Sequence, residues 1–210
     1  MRMLQTVFTI GHSNHSQEHF VSILLLHGIT ALCDVRSKPY SRMNPQFNRE
    51  MLEQLLPKYG IKYVYLGNEL GGRSEDPALY KNGKVAYDHL ARTSPFQRGL
   101  DRVQKGAQDY RIALMCAEKE PLECHRTILV SRHLAALGLD VQHIHGDGGL
   151  ESHAAAITRL RQILKVPEEQ TDMFRSHEDL VAAAYRRQEE RIAFEIEPIA
   201  DGAALGSAAK

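Results

Sequence analysis

The segment YRIALMCAEKEPLECHR, residues 110–126, decides the fold, because an apolar strand pattern is followed directly by the polar start of a helix. The residues YRIALMCA have the continuous apolar character of a strand that is covered on both faces of a sheet. From Cys124 to Leu137 the apolar residues recur at helical spacing, and Gly138 ends that pattern. The segment therefore predicts a strand-to-helix turn that carries cysteine, histidine and arginine side chains.

The same alternation of strands and helices continues on both sides of this segment. Further strands are predicted at TVFTI, ITALCDV, IKYVYL and DVQHIH. Helices are predicted over residues 17–27, 48–59, 85–105 with an interruption near Pro95, 124–137 and 151–166. Strands that alternate with helices favour right-handed crossovers. The prediction is therefore an α/β fold with a mostly parallel open sheet of about five strands and helices on both faces.

The charge distribution divides the chain into an α/β domain, residues 1–166, and an acidic helical extension, residues 167–197. The extension carries nine acidic and four basic side chains, a net charge of −5, whereas residues 1–166 have a net charge of +5. The extension could pack on its own domain, pair with another subunit in a homo-oligomer, or mask an anion-binding surface. Residues 198–210 are mostly small, and we expect a disordered tail.

Composition restricts the class of protein. Hydrophobic residues make up 43% of the chain, which is typical of a globular protein and excludes a disordered one. No apolar segment approaches the length of a membrane span, and the first residues lack the pattern of a secretion signal, so no membrane partner is expected. Three cysteines are an odd, low number for this length, which favours a reduced, cytoplasmic protein over a disulfide framework.

Polar residues follow nearly every predicted strand. Ligands of an open parallel sheet bind beyond the carboxyl ends of its strands, so we expect these side chains to lie near one another. The candidate catalytic residues are Cys124, Glu118, His12, Asp34 and His125. The candidate anion-binding residues are Arg36, Ser13, Arg42, Arg73, Gly72 and Arg126. Their shared position after the strands is the basis of this prediction, since Asp, Ser and Gly also occur in ordinary turns.

Cys124 has the surroundings of a nucleophile. It lies at the predicted first turn of a helix, where the unpaired N–H groups and the helix dipole stabilise a thiolate. His125 and Arg126 add positive charge or a proton acceptor. The arginine follows the cysteine by only two residues with no intervening glycine, so this is not the loop of the cysteine phosphatases. A structural role as a small buried residue stays open for Cys124, and Cys116 and Cys33 are predicted to be core residues.

A metal site is the first alternative. Cys116, Cys124, His125, His12 and His15 have the donor types that bind zinc or iron. The eight-residue spacing between the cysteines matches no common zinc motif. The sequence alone therefore assigns no metal ligand and identifies no cofactor.

Nucleic-acid binding is the second alternative. The loop over residues 36–49 combines basic residues with Tyr40 and Phe47, a pattern that can hold phosphates and stack on bases. The two aromatic residues could equally anchor a proline-containing loop to the domain. The isoelectric point near 7.2 is lower than that of a dedicated nucleic-acid binder.

Four motifs in order, TIGHSN, CDVRSKPYSRMNPQFN, LGNELGG and LMCAEKEPLECHR, resemble the family known as domain of unknown function 488 (DUF488). The resemblance covers roughly residues 6–150 and implies an α/β domain with a site built from these loops. It implies no particular reaction.

The functional prediction is an enzyme that acts on an anionic substrate at the carboxyl edge of the sheet. A nucleotide, a phosphorylated metabolite or a nucleic-acid backbone would fit the arginine-rich loops. Acid–base or cysteine chemistry would make the enzyme a hydrolase or a transferase. No P-loop, dinucleotide fingerprint or G-x-S-x-G elbow is present, so the sequence leaves the substrate open.

Overall fold

The computed structural model describes residues 5–166 and 176–196, and a six-stranded sheet forms its centre. The strands are β1 (Thr6–Gly11), β2 (Ala31–Asp34), β3 (Lys62–Tyr65), β4 (Tyr80–Lys81), β5 (Lys84–Val85), β6 (Ile112–Cys116), β7 (Asp140–Ile144) and β8 (Leu150–Ser152). The sheet order is β3-β2-β6-β1-β7-β8, and β4 pairs with β5 in a separate hairpin. Strands β3, β2, β6, β1 and β7 are parallel, which confirms the predicted α/β fold.

The sixth strand, β8, was not predicted, because the sequence pattern favours a helix over residues 151–166, whereas the helix begins only at His153. Gly148 has φ +86, which turns the chain back so that β8 runs antiparallel to β7. Its three residues are too few to show an alternating pattern in the sequence.

Eight α-helices follow or connect the strands within the described residues. They are α1 (Gln17–Leu26), α2 (Arg49–Leu55), α3 (Gly67–Leu70), α4 (Tyr87–Ala91), α5 (Ser94–Gly106), α6 (Arg132–Ala136), α7 (His153–Ile163) and α8 (His177–Ile192). Shorter 3-10 turns occupy Pro45–Phe47, Leu56–Tyr59, Pro77–Leu79 and Pro121–Glu123, and a π-helical turn at Arg126–Ser131 leads into α6. None of the helices in this part of the chain has the length and apolar character required to cross a bilayer.

Helices cover both faces of the sheet. Successive side chains of a strand point to opposite faces, so a strand of continuous apolar residues needs a covering layer on each side. Met115 of β6 packs in the cluster that includes Phe20 of α1 and Leu52 of α2. Leu114 and Cys116 point the other way, into the cluster formed with α5, α6, α7 and α8. The end of β6 therefore presents Cys116 to the same side of the sheet as α8.

The C-terminal helix α8 packs on the α/β domain. Ser176 caps it with a capping box. Leu180 and Ala184 are fully buried in the cluster that contains Leu114 of β6, and the Gln188 side chain donates to the Leu122 carbonyl at 2.9 Å. The predicted boundary at residue 167 and the predicted tail over residues 198–210 lie outside the described residues.

Candidate active site

A cavity of about 210 Å³ opens at the carboxyl edge of the sheet. Its walls come from the loops after β2, α3 and β6 and from the end of α8. The lining residues are Arg36, Ser37, Lys38, Gly72, Arg73, Tyr87, Cys116, Ala117, Glu118, Glu123, His125, Ile192 and Phe194. The edge of the sheet therefore gathers several of the predicted side chains into one cavity.

Two cysteines and one histidine meet at the base of this cavity. The Nδ1 atom of His125 lies 3.6 Å from Cys116 Sγ and 3.9 Å from Cys124 Sγ. The three donor atoms lie within 4.8 Å of one another. The Cys124 thiol also donates a hydrogen bond to Glu118 Oε2 at 2.9 Å. Three potential ligand atoms and one carboxylate thus form a single cluster.

The orientation of His125 is determined by its other ring nitrogen. Nε2 lies 3.0 Å from the Val35 carbonyl oxygen, which can only accept, so Nε2 carries the proton. Nδ1 consequently faces the two sulfur atoms. Gly72 packs against the ring, and a Cβ at that position would lie 2.8 Å from His125 Cγ. The glycine is therefore required by the close approach of the imidazole.

The local sequence explains how Cys124 reaches this cluster. Pro121 begins a 3-10 turn in which the Glu120 side chain accepts from the Leu122 N–H. Cys124 is extended, with φ −138, and the following helix begins at Arg126. The backbone N–H of Arg126 points at Cys124 Sγ at 3.4 Å. One N–H group of the helix N-terminus therefore faces the thiol.

The four side chains of the cluster shift one another's pKa values. Burial opposes ionisation of Cys124, but the hydrogen bond from Cys116 and the charges of Arg126 and His125 outweigh it and lower its pKa. Burial and the contact with Cys124 raise the pKa of Cys116 and of Glu118. The pKa of His125 is raised, because interaction with Cys124 exceeds the opposite effect of burial. Of the two thiols, Cys124 is therefore the one that ionises more readily.

Arg126 supports the loop that follows β6. It is completely buried, and its NH1 and NH2 groups donate to the carbonyls of Glu118 at 2.7 Å and Lys119 at 3.4 Å. A Cβ on Gly11 would lie 1.8 Å from the Glu118 carbonyl oxygen, so only glycine fits beneath this loop. Arg126 was predicted to bind an anion, and the structure places its guanidinium beneath the cavity rather than on its surface.

Arg36, Asp34 and His12 form a buried network beside the cavity. Asp34 receives Arg36 NH2 at 2.6 Å and the Tyr63 hydroxyl at 2.7 Å. Arg36 NH1 donates to Nε2 of His12 at 3.1 Å, and Nδ1 of His12 donates to the Ser13 carbonyl at 2.8 Å. Burial lowers the pKa of His12 to about 4. Of this network Arg36 lines the cavity, while His12 and Asp34 lie behind it.

Two further predicted residues lie away from the cavity lining. Ser13 has φ 50 and donates from its hydroxyl to Asn14 at 3.3 Å. Arg42 is exposed on the loop after β2 and does not line this cavity. Arg73 and Gly72, by contrast, both contribute to the wall.

Some lining residues carried no recognisable signal in the sequence. Ile192 is the last residue of α8 and Phe194 follows the helix, and the Arg73 guanidinium stacks 4.2 Å from the Phe194 ring centroid. Cys116 was predicted to be a core residue, and it is buried but also borders the cavity. The contact between Arg73 and Phe194 joins residues far apart in the chain, and local sequence periodicity cannot predict such a contact.

The aromatic residues of the loop over residues 36–49 differ in exposure. Phe47 is fully buried and stacks on the His12 ring at 4.5 Å, so it anchors the loop. Tyr40 is 66% exposed. Of the two, only Tyr40 is accessible for stacking on a base.

These observations define an α/β protein whose polar site lies at the carboxyl edge of a mostly parallel sheet. The model of a family described as "Domain of unknown function DUF488" matches residues 16–133, and the chain belongs to that family. The matched segment contains the Cys116, Cys124 and His125 cluster, whereas α8 lies outside it. No curated protein and no solved structure matches the chain.

Proposed function

We propose that this protein is an enzyme that hydrolyses an anionic substrate, or transfers a group from it, in the cavity at the carboxyl edge of the sheet. One observation carries the proposal. The same cavity is bordered by the basic side chains Lys38 and Arg73 and by the reactive side chains Cys116, Glu118 and His125. Binding and chemistry would thus take place in one cavity.

The basic wall has charge available for a ligand. Arg36 is already paired with the buried Asp34, so most of its charge is compensated. Within residues 5–166 and 176–196, neither Lys38 nor Arg73 forms a salt bridge. An ammonium and a guanidinium that share a cavity favour phosphate or carboxylate groups.

An adjoining cavity of about 710 Å³ indicates where the rest of a larger substrate would lie. It shares Ser37, Lys38, Arg73 and Phe194 with the first cavity. Its lining also includes the acidic residues Glu75 and Asp76, and Glu69, which is paired with Arg102. Carboxylates accept hydrogen bonds, so this lining suits the hydroxyl or amino groups of a nucleotide or a sugar phosphate.

The reactive wall provides thiol, imidazole and carboxylate groups. Cys116, Glu118 and His125 border the cavity, and Cys124 lies directly behind them in contact with both Glu118 and His125. These groups can supply acid–base or nucleophilic catalysis. Glu118, Cys124 and His125 would act as acid, base or nucleophile in this site.

Thermal unfolding in the presence of inorganic phosphate, nucleoside monophosphates and sugar phosphates tests this proposal. At least one of these anions should raise Tm, and Kd should increase about tenfold in Lys38→Ala and in Arg73→Ala, because each variant loses one charged contact. Lys58→Ala removes an exposed lysine outside the cavity and should leave Kd unchanged. The proposal fails if no anion raises Tm, or if Lys58→Ala weakens binding as much as Arg73→Ala.

A further inference from the structure

The distances from His125 Nδ1 to the two cysteine sulfur atoms are close to the nitrogen–sulfur distance in a tetrahedral zinc site. With Zn–S bonds of about 2.3 Å and a Zn–N bond of about 2.0 Å, tetrahedral angles place sulfur and nitrogen ligands roughly 3.5 Å apart. The observed separations from His125 Nδ1 are 3.6 Å to Cys116 Sγ and 3.9 Å to Cys124 Sγ. Both nitrogen–sulfur separations are therefore close to those of a zinc site, and all three donor atoms lie within 4.8 Å of one another.

The surroundings of His125 are those of a metal ligand. A ligating histidine usually donates its second ring N–H to a carbonyl or carboxylate, which orients the ring and increases the basicity of the ligating nitrogen. Here Nε2 donates to the Val35 carbonyl, and Nδ1 faces the two sulfur atoms. Gly72 leaves room for the ring in this orientation.

We propose that Cys116 Sγ, Cys124 Sγ and His125 Nδ1 bind one zinc ion, whose fourth coordination position faces the cavity. Cys116 and His125 both border the cavity, whereas Cys124 lies behind them, so the open side of the cluster is the cavity side. Three protein ligands and an open position are the pattern of catalytic zinc sites, while structural sites are closed by four. Two sulfur atoms and an imidazole also select zinc over magnesium or calcium, which prefer oxygen.

Glu118 is placed to act beside the ion rather than to complete its coordination. Its Oε2 contacts Cys124 Sγ at 2.9 Å, and its side chain also borders the cavity. In this position the carboxylate can accept a proton from a molecule at the open coordination position.

When the site binds Zn²⁺, its ligands release protons, and no ligand is oxidised or reduced. Each cysteine binds as a thiolate, so two thiols and one Zn²⁺ give a bis(thiolate) complex, and any proton still held by the thiols passes to the buffer. The imidazole binds through the Nδ1 lone pair, and an Nδ1 proton that it carries before binding passes to the buffer in the same way. No oxidant, reductant or further reactant is needed.

Titration of the reduced full-length protein with Co²⁺ and then Zn²⁺ tests the site. One Co²⁺ should bind per chain with thiolate-to-cobalt charge-transfer absorption and tetrahedral ligand-field bands, and Zn²⁺ should displace it. Cys116→Ser, Cys124→Ser and His125→Gln should each lower the affinity at least about tenfold, as loss of one ligand contact implies. Cys33→Ala removes the remaining cysteine, in the core and outside the cluster, and should keep full binding.

Two results would overturn the inference. One is the absence of stoichiometric metal binding by the folded, reduced wild-type protein, which needs no variant to interpret. The other is binding that survives in folded Cys116→Ser and Cys124→Ser proteins. The metal site goes beyond the proposed function and does not depend on it, because phosphate binding is measured separately through Lys38 and Arg73. If the protein binds metal but no anion, only the proposed function is refuted. If it binds an anion but no metal, only the metal site is refuted.

Discussion

The hydroxyl of Tyr185 lies 2.8 Å from Nε2 of His153, and this contact joins the C-terminal helix to the helix before it. A chain of hydrogen bonds continues from His153 to Nε2 of His143 at 3.1 Å, and from Nδ1 of His143 to the Thr9 hydroxyl at 2.8 Å. The end of α8 carries Phe194 to the cavity. The buried histidine pair therefore helps to hold the segment that forms one wall of the candidate site.

Acid should destabilise the protein through these histidines. Burial lowers the pKa of His153 from 6.5 to about 4, and burial with the neighbouring His153 lowers that of His143 to about 2. The unfolded chain takes up a proton near pH 6.5, whereas the folded protein does not. The stability that His153 contributes is thus complete above pH 6.5 and is lost progressively as the pH falls toward about 4.

For His153 alone, the unfolding free energy should fall by about 3 kcal/mol over this interval, because a shift of one pKa unit corresponds to about 1.4 kcal/mol. Urea unfolding across this pH interval measures it. The slope of unfolding free energy against pH should be smaller in His153→Phe than in the wild type, and His89→Gln, at an exposed histidine, serves as the control. Equal slopes in the wild type and His153→Phe would contradict the prediction.

Removing the buried acid partner of Arg36 should be costly. Asp34→Asn should lower the free energy of unfolding by about 3 kcal/mol, because a buried guanidinium loses its counter-charge. Chemical denaturation measures this change. Replacing the exposed partner of Arg49 in Glu53→Gln should cost less than about 1 kcal/mol. A loss of similar size in both variants would show that the Asp34–Arg36 pair is not buried in solution.

Gly72→Ala should damage the site more than the fold. The added methyl group would lie 2.8 Å from His125 Cγ and would displace the imidazole from the two cysteines. We expect the affinity for Co²⁺ to fall at least about tenfold, as when a group that orients a metal ligand is lost.

Gly60→Ala is the matched comparison for Gly72→Ala. At Gly60 the backbone has φ +71, and a Cβ would meet no atom within 4 Å, so the variant should lose stability while keeping its metal affinity. Metal titration and thermal unfolding of both variants separate the two effects. An unchanged Co²⁺ affinity in Gly72→Ala would contradict the proposed packing against His125.

The aromatic ring at the end of α8 should contribute to anion binding through Arg73. The guanidinium stacks 4.2 Å from the Phe194 ring centroid, and such a contact contributes about 0.5–1 kcal/mol. Phe194→Ala should therefore weaken phosphate binding about two- to fivefold, as measured by calorimetry. Ile196→Ala, at a position 45% exposed and two residues further on, should have no effect. Equal phosphate affinities in Phe194→Ala and the wild type would show that the Phe194 ring does not orient Arg73 for anion binding.

The sequence predicted the elements whose signals are local. The apolar segment that became β6 and the helical pattern after Cys124 both follow from the periodicity of backbone structure, and the structure confirms the mostly parallel sheet. The Asn-Gly dipeptide at residues 82–83, a strong local turn signal, forms the turn between β4 and β5, with positive φ at Asn82 and Gly83. The short strand β8 escaped prediction because its pairing with β7 is a tertiary interaction.

For the candidate site, too, some features follow from the sequence and others only from the tertiary structure. Because parallel strands end at one edge, the sequence alone determined the region of the molecule in which Arg36, Glu118 and His125 would lie. Only the tertiary structure decided that Cys116 borders the cavity, that Arg126 bonds to loop carbonyls, and that the end of α8 forms a wall. Strand and helix formation depend on residues close in the chain, whereas side-chain distances depend on how separate segments pack, and packing leaves no periodic signal in the sequence.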